Sequence, residues 1–233
     1  MSSGKTVKLG SIAEIIPGVS VRDYELRDPA ADVLREGMAK AYLVPISALD
    51  EESPLKQDKT QPAWIKSSIV SRGAPRAPAF RQFDIVITNR NEPRVVLISE
   101  FEETNCGTDD RAPNIATGPL MIIRLKQQGG YFFWRAQYLA WWLGHPKSRR
   151  VLRRLMKGTT VKVLSRGDLE NLEVSFPDRD DRIEGATTEK LIANRADEAK
   201  ELRRMMHEQA ELEYRRIQEV LYRMATGELP VIK

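Results

Sequence analysis

From residue 187 to residue 226 the chain runs without a proline or a glycine, and this uninterrupted stretch constrains the fold more than any other feature. Alternating steps of four and three from Ile192 reach positions 196, 199, 203, 206, 210, 213, 217, 220 and 224. Eight of the ten positions are apolar: Ile192, Ala196, Ala199, Met206, Ala210, Ile217, Val220 and Met224, with Arg203 and Glu213 as exceptions. Leu191, Leu202, Tyr214 and Leu221 widen the stripe. This is the spacing of a coiled-coil seam, and the remaining seven basic and seven acidic side chains cover the other faces. Thr187 or Thr188 can cap the start, while Gly227 followed by Pro230 ends the helix. Forty residues at about 1.5 Å each make a rod of roughly 60 Å. Such a helix either folds back on its own head or pairs with a helix of another molecule. The chain holds no second helix of comparable length, which favours pairing between molecules.

Because the rod is charge-balanced, the net charge of +4 belongs to the head. Residues 1–186 carry 28 basic and 24 acidic side chains, with 12 of the 13 prolines and 13 of the 14 glycines. The expected organisation is a head over residues 1–178, a linker over 179–186, the helix over 187–226 and a tail over 227–233. No apolar run approaches the ~20 residues that a membrane span requires, and Lys5 is followed by no apolar signal-peptide core. A lone Cys106 makes no internal disulfide, and two histidines, His145 and His207, do not build a zinc cluster. These features predict a soluble, cytoplasmic protein with no membrane partner, no structural metal and no cofactor of its own.

Within the head, residues 7–12 read as alternation followed by a turn and 13–18 as the close of a short element. Short strands are predicted over 40–46, 80–88 and 94–98, over 118–125, over 161–164 and over 172–176. Residues 89–93 read as a polar hairpin tip. Residues 131–156 read as helical, broken at Gly144, His145 and Pro146, and Ser165 with Asp168 forms a capping-box start for a short helix. The fold class is α+β: an irregular, β-rich head with short helices, followed by one long helix.

Three features of the head bear on chemistry. Seven of the sixteen aromatic residues lie between 131 and 142, and Trp134, Tyr138 and Trp141 share one helical face. Interleaved aromatics stack bases in some proteins, but a shared face reads first as a core helix. Directly afterwards come Lys147, Arg149, Arg150, Arg153, Arg154 and Lys157, six cations in eleven residues without an acid. That clustering suits phosphate contact, against the simpler reading of a solvated basic face. The third feature spans 66–94, where Lys66, Arg72, Arg76, Arg81, Arg90 and Arg94 face only Asp84 and Glu92, with Asn89 and Asn91 between them. Arginine and asparagine pair bidentately with guanine and adenine edges, although loop arginines also occur on any surface. No Walker loop, dinucleotide fingerprint or nucleophile elbow is present. Asp178, Glu198 and Lys200 imitate a metal-nuclease pattern, but the last two fall on the long helix.

In order along the chain, these residues resemble a target recognition domain and following helix of the specificity (S) subunit of Type I restriction–modification systems. The opening Leu9, Gly10, Ile12, Glu14 and Ile15, and the strand from Phe83 and Asp84 through Ile85, Val86 and Ile87 to Arg90, are similar to family elements. So are Tyr138, Leu139 and Leu143, and the run from Gly158 through Leu164, Ser165, Leu169, Leu172 and Val174 to Pro177. The family's Glu-Gln pair after that proline has no counterpart here, where Asp178, Asp180, Asp181 and Gly185 intervene. The resemblance implies a non-catalytic protein that reads double-stranded DNA, with S-adenosylmethionine and adenine methylation supplied by a partner methyltransferase, with or without a restriction subunit. One head and one helix correspond to half of such a subunit, so a second copy of the chain, or another half subunit, is the implied helix partner. The alternative from another class is a coiled-coil adaptor whose head binds protein.

Overall fold

The β-branched run at 85–88 and the largely apolar run at 120–125 set the centre of the head, because such residues bury well on both faces of a sheet. The structure, a computed structural model, describes residues 5–26, 36–49, 56–70, 78–98, 112–126, 132–176 and 188–225. Among them, strand β1 (Lys5–Lys8), helix α1 (Leu9–Ile12), β2 (Ala13–Pro17), β3 (Tyr24–Leu26), β4 (Met38–Val44) and β5 (Gln61–Lys66) precede helix α2 (Ser67–Val70). Then come β6 (Ile85–Thr88), β7 (Val95–Leu97), β8 (Asn114–Ala116), β9 (Leu120–Leu125), α3 (Phe132–Gly144), α4 (Pro146–Leu155), α5 (Arg166–Glu170) and β10 (Glu173–Phe176). Helix α6 (Thr188–Ala225) follows, 38 residues long. The chain is α+β, with a β-rich head and one long helix.

The central sheet has the order β2-β9-β6-β7 and is antiparallel throughout. Successive side chains point to opposite faces. Ile15, Ile85, Ile87, Met121, Ile123 and Leu125 therefore meet α3 residues Ala136, Tyr138, Leu139 and Leu143 in one core. Ile16, Val86, Val96, Leu120 and Ile122 face the other way, against Val44, Ala48, Phe80 and Ile98. A second sheet, β3-β5-β4-β8, includes the parallel pair β4 and β8 and carries a smaller core of Leu43, Ala63, Ile65 and Ile115. The third pairs β1 with β10 antiparallel, Lys5 opposite Phe176 and Lys8 opposite Glu173.

One ion pair crosses the second core face. Asp84 lies two residues before Val86 and Arg124 two after Ile122, so the pleat puts both on the same side. Arg124 donates from Nε to Asp84 Oδ1 at 2.9 Å and from Nη2 to Oδ2 at 2.7 Å, and also to the Ala79 carbonyl at 2.7 Å. The Arg81 amide donates to Asp84 Oδ2 at 2.8 Å. Burial pushes the Asp84 carboxyl above the usual range, and Arg124 and the Arg81 amide pull it back. Phe83, just before it, takes φ 68°, a left-handed conformation costing a non-glycine residue roughly 1–2 kcal/mol.

Among the described residues the helical reading holds over 132–155, including the break. His145 is the N-cap of α4, with Nδ1 accepting from the Lys147 amide at 3.3 Å, and Pro146 opens the helix. Ser165 caps α5 through its hydroxyl, which accepts from the Asp168 amide and donates to the Asp168 carboxylate. Two readings are corrected. Residues 161–164 form no ladder: Val163 makes single bridges to Lys157 and Arg90, because no strand runs beside it for longer. On α3, Tyr138 is buried but Trp141 is 38% exposed, since the face turned to the core is that of Ala136, Leu139 and Leu143. The Trp134 side chain lies outside the described residues.

Two compact units divide the chain, residues 1–193 and 194–233. The first turn of α6 belongs to the head, where Ala193 is buried and Ile192 packs on the main core. Ile192 thus starts the seam in sequence while serving the head in structure. Across the second unit Met206, Ile217 and Val220 are 64%, 53% and 42% exposed. Ala199 and Ala210 are exposed as well, and the Met224 side chain is not described. Among the described residues, no helix is long and apolar enough to cross a membrane.

Candidate nucleic-acid interface

The tip between β6 and β7 is built by its own short polar side chains. The Thr88 hydroxyl donates to the Glu92 carbonyl at 2.6 Å and accepts from the Arg94 amide at 2.9 Å. Asn91 takes φ 60°, a conformation that asparagine tolerates better than most residues. Asn89 acts inward, its side-chain amide donating to the Gly118 carbonyl at 3.1 Å. Arg90, Asn91 and Arg94 are exposed.

The turn after α4 then fastens the tip. Lys157 and Val163 exchange backbone hydrogen bonds of 3.0 and 2.8 Å, closing residues 158–162 into a loop. Gly158 makes that closure possible: its φ is +128°, and a Cβ there would sit 2.2 Å from the Val161 carbonyl oxygen. From this loop the Lys162 carbonyl accepts from the Asn91 amide at 3.1 Å, and the Leu164 amide donates to the Asn89 carbonyl at 2.8 Å.

Two regions that are separate in sequence therefore meet. Glu92, on the tip, takes a two-armed contact from the Arg153 guanidinium of α4, with Nε 3.1 Å from Oε2 and Nη2 on Oε1. The Arg153 hydrogen bond, with smaller contributions from Arg149 and Arg94, holds the Glu92 carboxyl below the usual range, so it stays ionised at lower pH than an ordinary glutamate. Arg94 from the tip and Arg149 and Arg153 from α4 thus gather around Glu92, while Arg90 on the tip and Arg150 and Arg154 on α4 are exposed. Lys157, just past α4, pairs with Asp168 at 3.2 Å. Lys147 stands exposed in the first turn of α4.

Not every predicted residue joins this group. Arg81 precedes β6, at the end of that strand opposite the tip. Arg72 and Arg76 lie outside the described residues, as do Cys106 and the linker 179–186. Sequence reasoning missed Glu92 as a partner of the basic helix, and Lys162 and Gly158 as the base on which the tip rests. The glycine at 158, just after the basic run, was the available signal.

No family model and no curated protein matches the chain. Solved structures do. The S subunit of a Type I restriction-modification system from M. genitalium aligns with a TM-score of 0.51 at 12% identity, over 96% of this chain and 46% of that one. A chain from a structure on complex assembly and conformational transition of the type I R-M system aligns with a TM-score of 0.52 at 17% identity, over 97% and 49%. The fold is that of a Type I S subunit. The chain spans about half the length of the solved chains it matches. Within this S-subunit fold, the family-like stretches occupy α1 with β2, the turn into β6, α3, and the run from Gly158 to β10.

Proposed function

We propose that the chain is the non-catalytic DNA-specificity subunit of a Type I restriction–modification-like complex in the cytoplasm, each head reading one half of a bipartite site. The observation that carries this reading is the junction of the tip with α4. It brings base-reading residue types on a hairpin together with a row of cations suited to phosphate, on a head with the S-subunit fold. Arg90 and Asn91 are the base-edge candidates, and Lys147, Arg150, Arg154 and Lys157 the phosphate candidates.

A second copy pairs through α6, joined by Ala196, Ala199, Met206, Ala210, Ile217, Val220 and Met224. Support comes from the large apolar side chains left exposed along this helix. A two-fold dimer presents the same head twice, so its DNA site is a gapped palindrome. Catalysis and S-adenosylmethionine belong to a partner adenine methyltransferase, with or without a restriction subunit.

Titrating salt against a fluorescent random-sequence duplex tests the core of the proposal. Binding is expected at low salt and weakens roughly tenfold or more between about 50 and 200 mM. Absence of binding at low salt, with the methyltransferase present, rules the reading out. In the same assay Arg90→Ala relaxes sequence preference at one position by about 1–3 kcal/mol. Arg154→Ala instead weakens all sequences alike and lowers the salt slope by about one. Identical selectivity profiles for wild type and Arg90→Ala would remove the tip from base readout.

A further inference from the structure

Glu92 is an acid that the structure places among the arginines of the tip and α4, and its position is costly if phosphate affinity were all that mattered. It sits on the tip between Asn91 and Arg94, its carboxylate takes the Arg153 guanidinium in a two-armed contact, and Arg149 and Arg94 also act on it. The pair is half exposed, with side-chain exposures of 51% for Arg153 and 46% for Glu92. It is therefore not a buried bridge retained for the core; exposed pairs of this kind add little to stability. The guanidinium fork that Glu92 fills is the group that would otherwise grip a phosphate, since carboxylate and phosphate offer the same bidentate geometry.

We propose that Glu92 is a specificity-determining residue that penalises shallow docking on DNA. This inference rests on the reading of the surface as a DNA interface. When the tip is out of register with the bases it stays at the level of the phosphates, where the Glu92 carboxylate is repelled and Arg153 is already occupied. When the tip is seated against matching base edges, Arg90 and Asn91 make their contacts. Glu92 then lies among base edges, with its pair to Arg153 intact. Unfavourable charge placed against the wrong partner is a general route to selectivity, because discrimination is a difference between two affinities.

The test uses the full chain with its methyltransferase partner, a random-sequence duplex, and enrichment from a randomised duplex library. Glu92→Gln is expected to bind the random duplex about three- to tenfold more tightly at low salt, with a log–log salt slope steeper by about one as Arg153 becomes available. Enrichment of preferred sequences over random falls by a similar factor, and Glu92→Asp, which keeps the charge, restores most of it. On an Arg153→Gln background, Glu92→Gln no longer steepens the slope, a signature that loss of a structural contact would not produce. If wild type binds and selects while Glu92→Gln keeps its slope and enrichment, or loses affinity for random and selected duplex alike, the inference is wrong and the DNA reading stands. If wild type itself ignores random duplex at low salt, both are wrong.

Discussion

Asp84→Ala is expected to lower the melting temperature of the head by about 6–20 °C in a thermal unfolding scan. The carboxylate is buried and carries two hydrogen bonds from Arg124 and one from the Arg81 amide. Removing it takes the counter-charge and two hydrogen bonds from a guanidinium in the core, which keeps its bond to the Ala79 carbonyl. Breaking one side of a buried pair costs about 3–5 kcal/mol, and each 1 kcal/mol moves the midpoint by roughly 2–4 °C in a chain of this size. The loss belongs to the buried charge left without its counter-charge, so replacing both partners, Asp84→Leu with Arg124→Met, recovers most of it. A single variant that melts within a degree or two of wild type would show that the turn before β6 holds without the pair.

The second large effect concerns association. Met206→Glu combined with Ile217→Glu is expected to convert the dimer to a monomer in light scattering at micromolar protein, while the head unfolds at an unchanged temperature. Both side chains are more than half exposed in the single chain, so the substitutions cost the isolated helix little. Inside a helix pair each would bury a carboxylate without a partner, at about 1–3 kcal/mol or more apiece. Together that is on the order of a hundredfold or greater weakening of dimerisation. An unchanged mass would place the seam elsewhere, and a wild type already monomeric would remove the paired-head reading while leaving DNA recognition by one head intact.

Much of the fold was legible because it is written locally. The proline- and glycine-free stretch becomes α6, the Gly144–His145–Pro146 break separates α3 from α4, and the polar run at 89–93 becomes the tip. Elements whose signal lies in distant partners were not legible. Strand β5 went unread because Ala63, Trp64 and Ile65 are all buried, so the alternation that marks a half-exposed strand is missing. Residues 161–164 have strand composition, yet a strand needs a neighbour along its length and Val163 has only single bridges. Trp141 shares a helical face with Tyr138, but where the core lies around α3 is decided by β7 and β10, not by the helix. The two basic features of the candidate site were each visible. Their union was not, because it depends on a contact between residues 61 apart, Glu92 and Arg153.

The pairing of β1 with β10 has an evolutionary consequence. Residue 5 lies opposite residue 176 and residue 8 opposite residue 173, so the stretch from Leu9 to Leu172 begins and ends at a single doorway. Everything from Leu9 to Leu172 hangs from that doorway as a cassette. Recombination or drift inside the cassette can replace its loops while β10 keeps β1 as its partner strand. If the head reads DNA as proposed, a lineage of such chains acquires a new target in one exchange, with the strand pair that frames the cassette unchanged.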